Sequence, residues 1–367
     1  MATTLNERIE STRGKPSGFD YMRLILAVLV ICFHSVVTSY GPLAQNEFNQ
    51  TFLGKAFGMI LPMFFCLSGF LVAGSLMRSH SVVTFLGLRA LRIYPALAID
   101  AIFCGLILGP ILTNLPLAEY FNHSDVHRYL LNSIGIIHYH LPGVFERNPT
   151  NAVNGQLWTI RYEMECYIAL ALLALLGLHR NRKIFTLIIG LILAIQQTRS
   201  LLQETPIWLG RQLVYCFLAG VVLFLWKDKI HWNKHLFIPA LLLGFALQHS
   251  SLAYLASAPV AYATIYLGLL NPKKIKLIES GDYSYGLFLY GIPIQQTLVS
   301  LSPLARDWLM NCLLSIPTTF LFAWMSWHLV EKRVLRSKSG LYRLEKFIPE
   351  NPLTNAFERI IGRRSAR

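Results

Sequence analysis

Residues 20–41 read DYMRLILAVLVICFHSVVTSYG: Asp20 and Arg23 open an apolar run, and His34 interrupts it near its far end. About twenty apolar residues in helical conformation cross a hydrocarbon core roughly 30 Å thick. Working outward from this stretch, apolar runs of the same kind recur at about 56–76, 93–113, 156–177, 184–197, 206–226, 235–249, 252–270, 280–300 and 308–330. The chain is therefore expected to be an all-α, polytopic transmembrane helical bundle of about ten spans.

Composition agrees. Of 367 residues, 54% are hydrophobic and 14% charged, against about 25% charged in an ordinary soluble domain, which excludes a typical cytosolic enzyme. The net charge of +14 is not a nucleic-acid signature, because no binding motif accompanies it and the charge is distributed by topology. Alternate loops hold 26 of the 33 Lys and Arg residues. By the positive-inside rule, this asymmetry puts both termini in the cytoplasm. The organisation expected is a cytoplasmic segment over 1–19, a transmembrane domain over 20–330 and a basic cytoplasmic tail over 331–367. The tail carries an amphipathic stretch from Leu341 to Ile348 that reads as a solvated or membrane-surface segment. One outside loop is long, 114–155, and a connection of that length is functional or disordered as a rule. The first stretch lacks a small-residue cleavage site and reads as a retained span. The six cysteines lie in apolar runs without metal-ligand spacing and read as packing residues, so no metal is expected.

Ionisable groups inside spans cost at least roughly 2.5 kcal/mol on insertion scales, so each is a candidate site residue. They are His34, Asp100, Arg161, Glu163, Glu165 and Arg211, with Arg23, Arg89 and Arg92 at span ends. Arg23 and His34 are eleven residues apart, three turns plus about 20°, so they share a helix face about 16 Å apart along the axis. An elongated substrate with an anionic head fits such a face; a topology-setting arginine and a packing histidine account for it equally well. Glu163 enters its span at the depth of His34, where a carboxylate could orient the imidazole as a general base. Arg161 is placed to neutralise Glu163 or Glu165 as a structural ion pair. Arg89 and Arg92, at i and i+3, suit a phosphate or diphosphate, although basic pairs before spans also serve topology. Asp100, two turns deeper, reads as a partner for one of them. Ser68 has no adjacent base and reads as a packing or ligand-contact residue.

Together these segments resemble the acyltransferase-3 family of bacterial inner-membrane proteins that O-acylate cell-surface glycans. The motifs that carry the resemblance are Arg23 followed by His34, FFCLSGFL at 64–71, Arg89-x-x-Arg92, Leu157-Trp-x-Ile-x-x-Glu163 with Tyr167, and SYGLFL at 284–289 ahead of Pro293. The resemblance covers about residues 18–331. It implies an acyl-CoA donor, acetyl-CoA by default, on the cytoplasmic side, a glycan or glycolipid acceptor, and a place in the bacterial inner membrane among its lipids. It also implies that His34 is the essential catalytic histidine, with Arg23 paired to it, and that Arg89 and Arg92 handle the cofactor. The site expected from residues and resemblance together has His34 and Glu163 as catalytic groups and Arg23, Arg89, Arg92 and Ser68 at the donor. Trp158, Arg161, Tyr167 and Tyr285 are expected to contact substrate. The rival class is a transporter of a glycan, lipid or acyl group that forms no bond, but such folds often show repeated halves with broken helices, and none is evident here.

Overall fold

The computed structural model describes residues 3–79, 81–203, 207 and 209–345. Among these the chain is helical, with no strand beyond isolated single-residue bridges. The helices that matter for the site are α1 (Gly18–Tyr40), α2 (Ile60–Arg78), α3 (Val82–Phe103), α4 (Trp158–Leu175), α5 (Arg182–Leu202), α6 (Leu209–Leu225), α7 (Lys234–Gln248), α8 (Ser257–Gly268), α9 (Ser284–Leu301) and α10 (Trp308–Ser326).

Every stretch read as a span is occupied by a helix. Five described helical segments are long and apolar enough to cross a membrane: Gly18–Tyr40, Phe52–Arg78, Val82–Leu112, Arg182–Leu202 and Trp308–Arg343. The helices in the other five stretches, α4 and α6 to α9, run from 12 to 18 residues. The largest shift of a boundary is at α3, which starts at Val82 rather than near residue 93. Ser81 caps it, accepting from the Thr84 amide at 3.0 Å. The sequence reading began this span after the last arginine because a charge in hydrocarbon is costly. In the folded chain Arg89 and Arg92 sit within the helix, where Ser75, Asp282 and Glu331 accept from some of their donors.

Helices α2 and α6 approach backbone to backbone. A Cβ on Gly69 would lie 1.9 Å from the Phe217 carbonyl oxygen, and one on Gly220 would lie 2.1 Å from that of Cys66. Small residues at such a crossing allow the close packing that holds helices together where no hydrophobic force separates them from lipid. The crossing also presents the Ser68 face of α2 toward the interior.

The long loop over 114–155 is folded. It contains helices Leu117–Asn122 and Ser124–Leu130, and it buries Tyr120, Tyr129, Val144, Phe145 and Val153 together. The Tyr120 hydroxyl donates to the Gly105 carbonyl at 2.8 Å, and Asn148 donates to the Gln296 carbonyl at 2.9 Å, so the loop is tied to α3's extension and to α9. Beyond α10 a π-helical turn, Trp327–Glu331, leads into short helices at Lys332–Arg336 and Lys338–Glu345. Residues 346–367 of the expected tail, including Lys346, Phe347 and Ile348 of its amphipathic stretch, lie outside the described residues.

Candidate active site

One cavity, about 1020 Å³ counted out to its mouth, gathers residues from five helices. α1 contributes Arg23 and Val30; α2 contributes Phe64 and Ser68; α3 contributes Arg89 and Arg92. Glu163 and Tyr167 come from α4, Ser284 and Tyr285 from α9. Arg23 and Val30 project together because seven residues are nearly two full turns. The deeper walls are apolar, formed by Leu61, Phe65, Val72, Ile93 and Phe288.

The three arginines are not equivalent. Asp282, just ahead of α9, receives Arg23 Nη1 at 2.9 Å and Arg92 Nη2 at 2.8 Å on the same carboxylate oxygen. Arg23 also pairs with Asp20 at 2.7 Å, and Asp20 with Lys274 at 2.8 Å. Arg92 also reaches Glu331 at 3.3 Å, whose carboxylate is 3% exposed. The result is a chain of alternating charges across the mouth of the cavity. Arg89 pairs with no carboxylate among the described residues. Its Nη2 donates to the Ser75 hydroxyl at 3.2 Å, and its guanidinium carbon lies 6.0 Å from the centre of the Tyr167 ring. Two buried guanidinium nitrogens, Arg23 Nε and Arg89 Nε, have no hydrogen-bond partner. Buried donors left open in this way are costly unless a ligand completes them, and a phosphate or diphosphate has the acceptors to do so.

In the same cavity the Tyr167 hydroxyl donates to Glu163 Oε1, and Ser68 also lines it. Tyr285 donates to the Ile93 carbonyl at 3.1 Å, with Arg92 placed 5.7 Å from its ring centre. Each arginine of the Arg89-x-x-Arg92 pair thus lies near a tyrosine face as well as a polar partner, the geometry of cation–π attraction.

Five expected residues or pairings lie outside this cavity or find other partners. His34 is not among the residues lining this cavity. It stands one turn beyond Val30 on α1, half-buried beside the Phe33 ring at 5.7 Å. The expected pairing of Glu163 with His34 is not formed: the carboxylate accepts instead from the hydroxyl of Tyr167, one turn along α4. Arg161 lies on the outer face of α4, 76% exposed, and pairs with Glu165 at 3.0 Å, so it is a surface ion pair rather than a wall of the cavity. Asp100 pairs with neither arginine. It is fully buried, accepting from Asn154 at 2.5 Å, and fastens the 114–155 loop to α3. Trp158, also outside the cavity lining, packs edge-on against Tyr162 at 5.8 Å.

Sequence reasoning missed Asp282, Asp20 and Glu331, the acids that organise the mouth. A signal was present: Asp282 stands two residues before the Ser284-Tyr285 motif, and Glu331 is the lone acid closing the last apolar run. Neither has a spacing relation to the arginines it meets.

Three comparisons with known proteins bear on this arrangement. Residues 17–328 match the acyltransferase-3 family, described as an acyltransferase domain. An O-acetyl transferase of Shigella phage Sf6 is 28% identical over 343 residues, covering 90% of this chain and 99% of that protein. Nodulation protein 10 of Rhizobium leguminosarum bv. viciae is 23% identical over 363 residues, covering 90% of this chain and 96% of the relative. No solved structure matches.

Proposed function

The chain belongs to the acyltransferase-3 family, and on that premise we propose that it transfers an acyl group, acetyl by default, from cytoplasmic acyl-CoA to a hydroxyl of a cell-surface or exported glycan. The observation that carries the reading is the cavity itself: buried guanidinium donors without partners and an apolar passage that reaches Val30 on α1, one turn short of His34. Similarity to a phage O-acetyl transferase supports acetyl as the group and oxygen as the acceptor atom. Both termini lie in the cytoplasm of a bacterial inner membrane in this reading.

The donor's diphosphate sits on Arg89, with Arg23 and Arg92 held in place beside it by Asp282. Its pantetheine arm runs along the apolar wall toward Val30 and His34; about 16 Å of helix separates Arg23 from His34. His34 takes the proton of the acceptor hydroxyl, and the oxygen attacks the thioester carbonyl. As the tetrahedral intermediate collapses, the carbon–sulfur bond breaks, and the imidazolium returns the proton to the leaving thiolate. The products are an O-ester and free coenzyme A. Glu163, Tyr167 and Ser68 form the polar side of the passage, with Tyr167 holding the carboxylate in place.

The test uses the purified full chain in lipid or detergent with acetyl-CoA carrying label on the acetyl group, and glycan isolated from a strain deleted for this protein. Label is expected in the glycan together with stoichiometric free thiol. Thiol and label that both stay in the donor would overturn the reading.

A further inference from the structure

A second cavity, about 550 Å³ to its mouth, lies behind the ion pairs that close the first. Its lining includes Asp20, Asp282, Tyr283, Ser284 and Trp327. Ser284 lines both cavities, and Asp282 faces the second while holding Arg23 and Arg92, which line the first. The two spaces therefore share one wall, made of the Asp282 bridge.

The two cavities sort ligands by charge. The first presents guanidiniums and favours an anion. The second presents two carboxylates, which disfavour a phosphate and accept hydrogen bonds from an uncharged ring with amino donors. Each oxygen of Asp20 takes one cation, Arg23 or Lys274, and keeps capacity for a further donor. Trp327 supplies the complementary group: its indole Nε1 is buried with no acceptor. That ring reaches its place only because residue 281 is glycine, since a Cβ there would lie 2.2 Å from Nε1. It is also carried by the π-helical turn Trp327–Glu331, whose last residue reaches Arg92. Such turns occur mostly as local insertions in helices and are frequent at functional sites. Lys273 and Lys276 are exposed on the segment that leads to Ile278 of this cavity.

We propose that the second cavity binds the adenine end of the acyl donor, with Trp327 Nε1 donating to a ring nitrogen and a carboxylate, Asp20, accepting from the exocyclic amino group. The diphosphate then crosses the Asp282 bridge to Arg89, and Lys273 and Lys276 face the ribose phosphate. A single donor occupies both cavities, nucleotide in one and pantetheine in the other. The assignment rests on acyl-CoA being the donor.

The test is calorimetric titration of the full chain with three compounds: coenzyme A, adenosine 3′,5′-bisphosphate and 4′-phosphopantetheine. In the unaltered protein the bisphosphate is expected to compete with coenzyme A. Trp327→Ala should weaken both by about tenfold or more while leaving 4′-phosphopantetheine unchanged, since an acceptor left unpaired in a buried site costs about 1–3 kcal/mol. Trp327→Phe, which keeps the ring's bulk and loses only the N–H, should weaken both by a smaller factor. Equal affinities for coenzyme A across all three proteins, or bisphosphate binding that does not compete with it, would overturn the adenine site and leave the donor assignment intact. Failure of the unaltered protein to bind coenzyme A at all would instead overturn the donor assignment, and this inference with it.

Discussion

The two ends of α1 are built on opposite principles. At Arg23 the surroundings are ionic: Asp20, Asp282, Arg92, Glu331 and Lys274 alternate in sign over distances of 2.7–3.3 Å. At His34 they are aromatic. Phe33 stacks on Phe57 at 6.0 Å, Phe48 meets both, and Trp308 packs on Phe48 at 6.4 Å while donating to the Cys32 carbonyl at 2.9 Å. The ionic end spends its charges on one another, which fixes the guanidiniums without exhausting them, since Arg23 Nε and Arg89 Nε stay open. Among the described residues, no acid pairs with the imidazole at the aromatic end. One end is suited to hold an anion and the other to leave a base unencumbered, and a substrate that spans both joins the two tasks.

The sharpest way to break this contrast is His34→Ala. Acyl transfer is expected to fall by about 100-fold or more, the usual scale for removing a general base, while coenzyme A affinity measured by titration stays unchanged. Transfer at an undiminished rate would remove any chemical role from the aromatic end. Next in size is Asp282→Ala, which leaves Arg23 and Arg92 facing each other. With both arginines partly exposed, the loss of stability should fall between surface and buried pairs, about 2 kcal/mol, read as a lowered midpoint in thermal unfolding. An unchanged midpoint would mean that the ionic end is not held by this bridge. Arg89→Ala sharpens the division among the arginines: coenzyme A binding should weaken about tenfold with the unfolding midpoint preserved, because Arg89 holds no carboxylate in place. A midpoint lowered as far as that of Asp282→Ala would make Arg89 structural instead. The smallest effect is expected for Arg161→Ala, whose exposed pair with Glu165 lies off the cavity. Activity and midpoint should both match the parent, and a loss of transfer would put Arg161 back at the acceptor.

Much of this arrangement was legible before folding. Helical period alone places Arg23, Val30 and His34 on one face, and the position of FFCLSGFL in an apolar run puts Ser68 inside a helix that packs closely. The Arg89-x-x-Arg92 spacing correctly implied one shared face. What it concealed was the boundary of α3, because a hydropathy reading treats an arginine as the end of a span whether or not an acid waits for it. His34 and Glu163 illustrate the same limit. Their expected depths agree, yet depth says nothing of the lateral direction in which a carboxylate turns, and Glu163 meets Tyr167 instead.

By itself, then, the order of residues determined which segments are helical, which faces carry polar groups, and that these lie in an apolar chain where each demands a partner. Only the packed structure decided who those partners are. Asp282 and Glu331 stand 190 and 239 residues from Arg92, and periodicity acts within one helix while ion pairs depend on where helices meet. The wall between the two cavities is made of such long-range pairs, so it exists only once α1, α3, α9 and the turn after α10 have come together.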